Sequence, residues 1–127
     1  MTFHTSFTHS PIVPPPFEAV SKEIGADVEF YGLVRELEHG HPLAGLHYEA
    51  YAPMALKQIT RIFALLAEAH PVAGVTWIHR LGWVPVGEAS LFLRVQSAHR
   101  AEALNFCALA IDAMKRDVPI WKTARTA

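Results

Sequence analysis

The chain has a single cysteine, Cys107, in 127 residues. A disulfide framework is therefore excluded, and the composition suits a reducing compartment. It also lacks a charge excess: 11 Lys and Arg against 12 Asp and Glu leave a net charge of -1. Without a basic field there is no general attraction to nucleic acid or to an anionic membrane, so any anion site must be local. No apolar run approaches the ~18 residues of a membrane span, and the first residues lack the basic and apolar regions of a signal peptide. A cytoplasmic protein is expected. The Walker A loop, the dinucleotide glycine fingerprint, the Gly-x-Ser-x-Gly elbow and the zinc-protease helix are all absent.

What is present is 51% hydrophobic residues with 18% charged, enough for the core of one globular domain spanning 1–127. Residues 1–16 carry Pro14, Pro15 and Pro16 and are expected to extend over the surface outside the core. Phe17 to Ile24, with apolar residues three and four apart before Gly25, predicts a short helix. Val28 to Arg35 reads as a strand, in which Gly32 marks a bulge or a close approach. The polar run ELEHGHP predicts a loop, and Leu43 to Tyr51 a second strand antiparallel to the first. Pro53 opens a helix to about Ala69, with Met54, Ile59, Ile62, Phe63 and Leu66 on its buried side. Val75 to Leu81 and Ala89 to Gln96 read as strands separated by a connection over Gly82 to Gly87, and in the latter strand Leu91, Leu93 and Val95 share a face. The order predicts an α+β fold, an antiparallel sheet covered by helices.

The stretch from Ser97 to Lys122 carries the chemistry. With Ser97 as N-cap, Leu104, Ala108 and Ile111 form a helical stripe, and Lys115 falls within roughly 40° of it. Its amine should emerge at the helix end, where Val118 and Pro119 stop the helix. A turn could then return Lys122 towards Lys115. His99 and Arg100 occupy the first turn, where the helix dipole disfavours cations and free amides favour an anion. Dipole complementarity alone also selects Lys115 and Arg116 at a C-terminus. His39, His41 and His47 lack a carboxylate or thiolate at ligand spacing and predict no metal site. Cys107 lies mid-helix beside Phe106, away from the settings that activate a thiol, and reads as core.

The segments FYGLVR (30 to 35), LHYEAYAPMA (46 to 55), IHRLGWVPVGEAS (78 to 90), SAHRAEA (97 to 103) and IDAMKRDVPIWK (111 to 122) together resemble the large, catalytic subunit of molybdopterin synthase, the MoaE family. The resemblance runs in unbroken order over about residues 26 to 122. It implies the fold called an α/β hammerhead and a sulfurtransferase that converts the cyclic pyranopterin monophosphate known as precursor Z into the dithiolene of molybdopterin. The sulfur would come as a thiocarboxylate on the C-terminal Gly-Gly of a small ubiquitin-like subunit. Two large subunits would pair, with one small subunit at each end, as a heterotetramer. Neither a cofactor nor a metal is implied.

Carried over residue by residue, the resemblance implies substrate binding by Leu33, Val34, Arg35, His99, Arg100, Thr123 and Ala124, and catalysis by Lys115 and Lys122. Arginine suits a cyclic phosphate through bidentate contacts. An amine suits attack on a thioester-like carbonyl, or proton movement during sulfur addition. The chain departs from the family at Glu36, where many members have Asn, and at Ala50-Tyr51-Ala52-Pro53-Met54 in place of His-Tyr-Pro-Gly-Met. It also ends at Ala127, where many members continue into a tail that helps close the pocket, so that tail's contacts, and any share of them for Arg125, are not carried over. Two other classes compete. A non-catalytic pterin-phosphate-binding α+β domain would use the anion site without the lysines, and an RNA-binding α+β domain would need a basic sheet face with stacking aromatics.

Overall fold

The computed structural model describes residues 1–126, with side chains as far as 124. Two sheets share the work. The first has strand order β1-β5-β7-β2, built from β1 (Thr2–Thr8), β2 (Ala26–Leu33), β5 (Gly74–Arg80) and β7 (Ala89–Ser97). Its pairings are antiparallel except β1 with β5, which run parallel. The second is organised on β4 (His41–Ala50), which pairs with the short β3 (Leu37–Glu38), with β6 (Gly82–Pro85) and with β8 (Ile120–Thr126). The fold is α+β, as expected, but with two sheets where the sequence reading had one.

Helices α1 (Ala52–Ala69) and α2 (Arg100–Asp117) cover one face of the first sheet. Between them lie Ile59, Phe63, Trp77, Leu93 and Phe106, all essentially sealed from solvent. Each such side chain contributes on the order of 2 kcal/mol by leaving water. Leu91, Leu93 and Val95 do share this face. The opposite face of β7 is buried too, because the chain between β1 and β2 crosses it. Gln96 holds that crossing in place: its Oε1 accepts from the Val20 amide at 3.0 Å and its Nε2 donates to the Glu18 carbonyl at 3.0 Å. Backbone groups committed to Gln96 are unavailable for a helical ladder, and the helix expected over Phe17 to Ile24 does not form. Residues 2–8 are extended as expected, yet they form an edge strand whose Phe3 and Phe7 pack against the core.

β4 does not pair with β2, whose partner is β7, because the polar run before β4 makes its own hairpin. His39 and Gly40, at φ 51° and 78°, form the two-residue loop, whose positive φ angles suit a tight hairpin. The connection after β5 is the strand β6, turned out of β5 by Gly82 at φ 80°. β6 lies so close to β4 that a Cβ on Gly45 would meet the Val84 carbonyl oxygen at 2.5 Å.

In α2 the buried face is Ala103, Phe106, Cys107, Ala110 and Met114, about one residue round from the stripe read in the sequence. Leu104 is 52% exposed, because Phe106 and Met114 offer more apolar area to the sheet. The N-cap is His99 and not Ser97, whose buried hydroxyl donates to the His99 carbonyl at 2.5 Å. Met54 likewise sits on the solvent side of α1, whereas Ile59 and Phe63 are buried as expected. The stop at Val118 and Pro119 is as read: Val118 is extended, and its amide closes the helix on the Met114 carbonyl at 3.1 Å. No helix among the described residues is long and apolar enough to cross a membrane.

Candidate functional site

Where the two sheets meet, the end of β2, the last turn of α2 and the start of β8 enclose a cavity of about 640 Å³. Each wall has a local cause. β2 breaks register between Gly32 and Leu33, the irregularity the glycine signalled, and the Val34 amide then donates to the Glu88 carbonyl at 3.0 Å. That turns Arg35 to the cavity while Val34 is buried in the second core with Leu43, Leu46 and Val84. On the helix side, Ile111, Met114 and Lys115 line the wall. The turn at Pro119 sends β8 back along β4, placing Lys122 opposite Tyr48, and both line the cavity.

Thus Leu33, Val34, Arg35, Lys115 and Lys122 converge as the sequence implied. The other expected site residues do not join them within the chain. Thr123 and Ala124 continue β8 as exposed residues outside the cavity lining. His99 and Arg100 lie at the opposite end of α2, about 22 Å from Lys115 along the helix axis. Both are exposed, and Glu102 in the same turn already meets the helix dipole. The single-chain cluster of Arg35 with His99 and Arg100 is therefore not formed, because an 18-residue helix stands between them.

The cavity also holds residues not singled out in the sequence. Glu38, delivered by the β3–β4 hairpin, receives the Lys122 ammonium at 2.9 Å. That hydrogen bond holds its carboxyl below the ordinary carboxylate range. Lys115 makes no ion pair with a described residue. His79, on β5, is 4% exposed and sits among the rings of Phe7, Tyr48 and Trp77. Burial drives its pKa down to about 4, against a smaller opposing effect of its bond to the Arg80 carbonyl. Arg80 itself donates to Glu88 at 2.7 Å, tying β5 to the turn before β7. Glu38 was hidden in a run read as loop, and His79 in a strand read for its apolar content. Among the described residues, no group of three or more His, Cys, Asp or Glu is gathered for a metal. Cys107 is buried, and burial raises its thiol pKa, in keeping with a core role.

This arrangement can be set beside known proteins. The family model described as MoaE protein matches residues 7–117. The chain belongs to the MoaE family. Among curated MoaE relatives, the molybdopterin synthase catalytic subunit of Bos taurus is 45% identical over 103 residues, 81% of this chain and 54% of its own length. That of Arabidopsis thaliana is 40% identical over 100 residues, 79% of this chain and 50% of its own. The chain thus spans about half the length of the curated relatives it matches. Among solved structures, molybdopterin synthase from Staphylococcus aureus superposes with a TM-score of 0.88 at 32% identity, covering 95% of this chain and 90% of that one. The complex of subunits 1 and 2 of molybdopterin-converting factor from Helicobacter pylori gives 0.68 at 26% identity, over 81% and 67%.

Proposed function

We propose that this chain is the catalytic subunit of a cytoplasmic molybdopterin synthase, a sulfurtransferase acting on precursor Z with sulfur from the C-terminal thiocarboxylate of a small ubiquitin-like subunit. The observation that carries the reading is the meeting of Arg35, Lys115 and Lys122 in one cavity, of a size typical of small-molecule sites. Arg35 and Lys122 supply charge for a phosphate and for developing negative charge. Tyr31, Leu33 and Trp121, exposed in the cavity lining, offer apolar surface beside the cations and suit an extended tail without side chains such as Gly-Gly.

In this reading the thiocarboxylate sulfur adds to a carbonyl carbon of the precursor side chain, the C=O π pair moves to oxygen, and that oxygen takes a proton and leaves as water as a C=C bond forms, giving an acyl thioester between partner and substrate. Breaking the acyl C–S bond leaves the sulfur on the pterin as a thiolate. The acyl carbon is taken by water or by the neutral Lys115 amine, and the departing thiolate takes up the proton released. Lys115 suits this role because no carboxylate of the described residues claims it, whereas Lys122 is held by Glu38.

His99 and Arg100 are assigned to the cavity of a second copy. They lie at the far end of α2 from Lys115, and pairing of two large subunits within a heterotetramer would let each α2 N-terminus reach its neighbour's site. Thr123 and Ala124 take a secondary place, extending β8 beyond the cavity. No cofactor is assigned.

The test is reconstitution of the purified chain with precursor Z and a thiocarboxylated partner. Dithiolene product that depends on all three components is the expected result. Binding of the pterin phosphate without product would favour the non-catalytic binding domain instead.

A further inference from the structure

The ring of His79 is oriented by a contact that settles its tautomer. Its Nδ1 lies 2.8 Å from the Arg80 carbonyl oxygen, which can only accept, so Nδ1 carries the proton and donates it. Nε2 is then a bare lone pair. It makes no hydrogen bond to any described residue, and it is not among the side-chain atoms sealed from solvent without a partner. The residue lines the cavity, with Nε2 as its acceptor not engaged by any described residue. Packing fixes the ring's direction, with Tyr48 edge-on at 5.0 Å and Trp77 at 5.8 Å.

The other polar side chains of the cavity point to what this acceptor is for. Arg35, Lys115 and Lys122 only donate while charged; Oε1 of the Glu38 carboxylate accepts from Lys122; the Ser90 hydroxyl donates to the Gly32 carbonyl. The cations suit a phosphate; the hydroxyls of Tyr31, Tyr48 and Ser90 and the second Glu38 oxygen can also accept, but His79 adds a neutral acceptor whose direction is fixed by the rings packed on it. We infer that His79 is a specificity-determining residue whose Nε2 accepts a hydrogen bond from an N–H of the pterin ring, while the cations hold the phosphate. The assignment rests on the functional reading above and adds to it the contact that recognises the heterocycle. A carboxylate in this place would accept equally well but would repel the phosphate. The imidazole is a neutral acceptor at every pH well above about 4.

The test compares neopterin monophosphate with inorganic phosphate as probes, by calorimetry on the full chain. His79→Phe keeps the ring and removes the acceptor. It should weaken neopterin monophosphate roughly ten-fold, the worth of one hydrogen bond, and leave phosphate unchanged. His79→Gln should recover part of the loss. Equal loss for both probes, or no loss for the pterin, overturns the inference. Nitrogen NMR of the wild-type ring gives a second readout that needs neither variant to fold: an unprotonated Nε2 at pH 7 is expected, and a protonated one overturns the inference. A wild-type chain that binds phosphate but no pterin would instead sink the functional reading, and the ligand named here with it.

Discussion

Lys122 and Glu38 lie 2.9 Å apart across the cavity, one from the start of β8 and the other from the β3–β4 hairpin. Lys115, in the same cavity, has no such partner among the described residues. The two lysines are therefore not equivalent.

From that inequality, Lys115→Ala should nearly abolish molybdopterin formation while leaving partner docking intact, because it removes the amine free to act. Lys122→Ala should leave measurable activity, since it removes an orienting charge. Steady-state assays of the two variants check the order. A trapped isopeptide adduct with the partner's terminal glycine should map by mass spectrometry to Lys115, and mapping to Lys122 would reverse the roles.

Arg35→Ala should weaken precursor binding, most at low ionic strength, because a charge-assisted contact to the phosphate is lost. Arg100→Ala should do the same through the neighbouring copy. Mixed dimers of Arg100→Ala and Lys115→Ala chains should then regain activity above either parent, since one of their two sites combines an intact Lys115 with an intact Arg100. An absence of recovery in verified mixed dimers would place Arg100 outside the site.

Cys107→Ala should fold, keep most of its activity and lose about 1 to 2 kcal/mol of stability from the packing removed. Denaturant titration beside the activity assay checks both halves. A persulfide on Cys107 during turnover, with activity abolished in the variant, would contradict its reading as core.

His79 should also leave a mark on stability. Its ordinary pKa of 6.5 applies when the chain is unfolded, and about 4 when it is buried. Above pH 6.5 both states are neutral and the group adds no pH dependence. As pH falls from 6.5 to 4 the unfolded chain takes up a proton that the folded chain refuses, so stability drops, by up to ~1.4 kcal/mol per pH unit and about 3 kcal/mol in all. Denaturation of wild type and His79→Phe at pH 7, 6 and 5 should show a shallower decline in the variant. Parallel declines would mean that the ring is protonated in the folded protein.

The parts of the fold legible in the sequence are those where one local signal decides the outcome. Gly32 announced the break that turns Arg35 inward, and Pro119 the turn that returns Lys122. Where two elements compete for one face, local pattern was insufficient. Leu104 and Phe106 both fit an amphipathic α2, and the choice was made by the sheet beneath them. Residues 17 to 24 have helical spacing, but Gln96, more than seventy positions away, claims their backbone. The same limit governs the site. Leu33, Val34, Arg35, Lys115 and Lys122 come together within one chain, whereas His99 and Arg100 are held apart by the length of α2, a separation that motif matching cannot register.

The central claim is that sulfur passes from the partner's tail to a pterin held in this cavity. A single turnover of the chain with precursor Z and a partner whose thiocarboxylate carries heavy sulfur, with sulfur counted in the pterin product by mass spectrometry, tests it most directly. The account predicts two heavy sulfur atoms in the product, and a partner left with an ordinary C-terminal carboxylate or trapped on Lys115. Precursor Z recovered bound but unsulfurated, beside an intact thiocarboxylate, would contradict it.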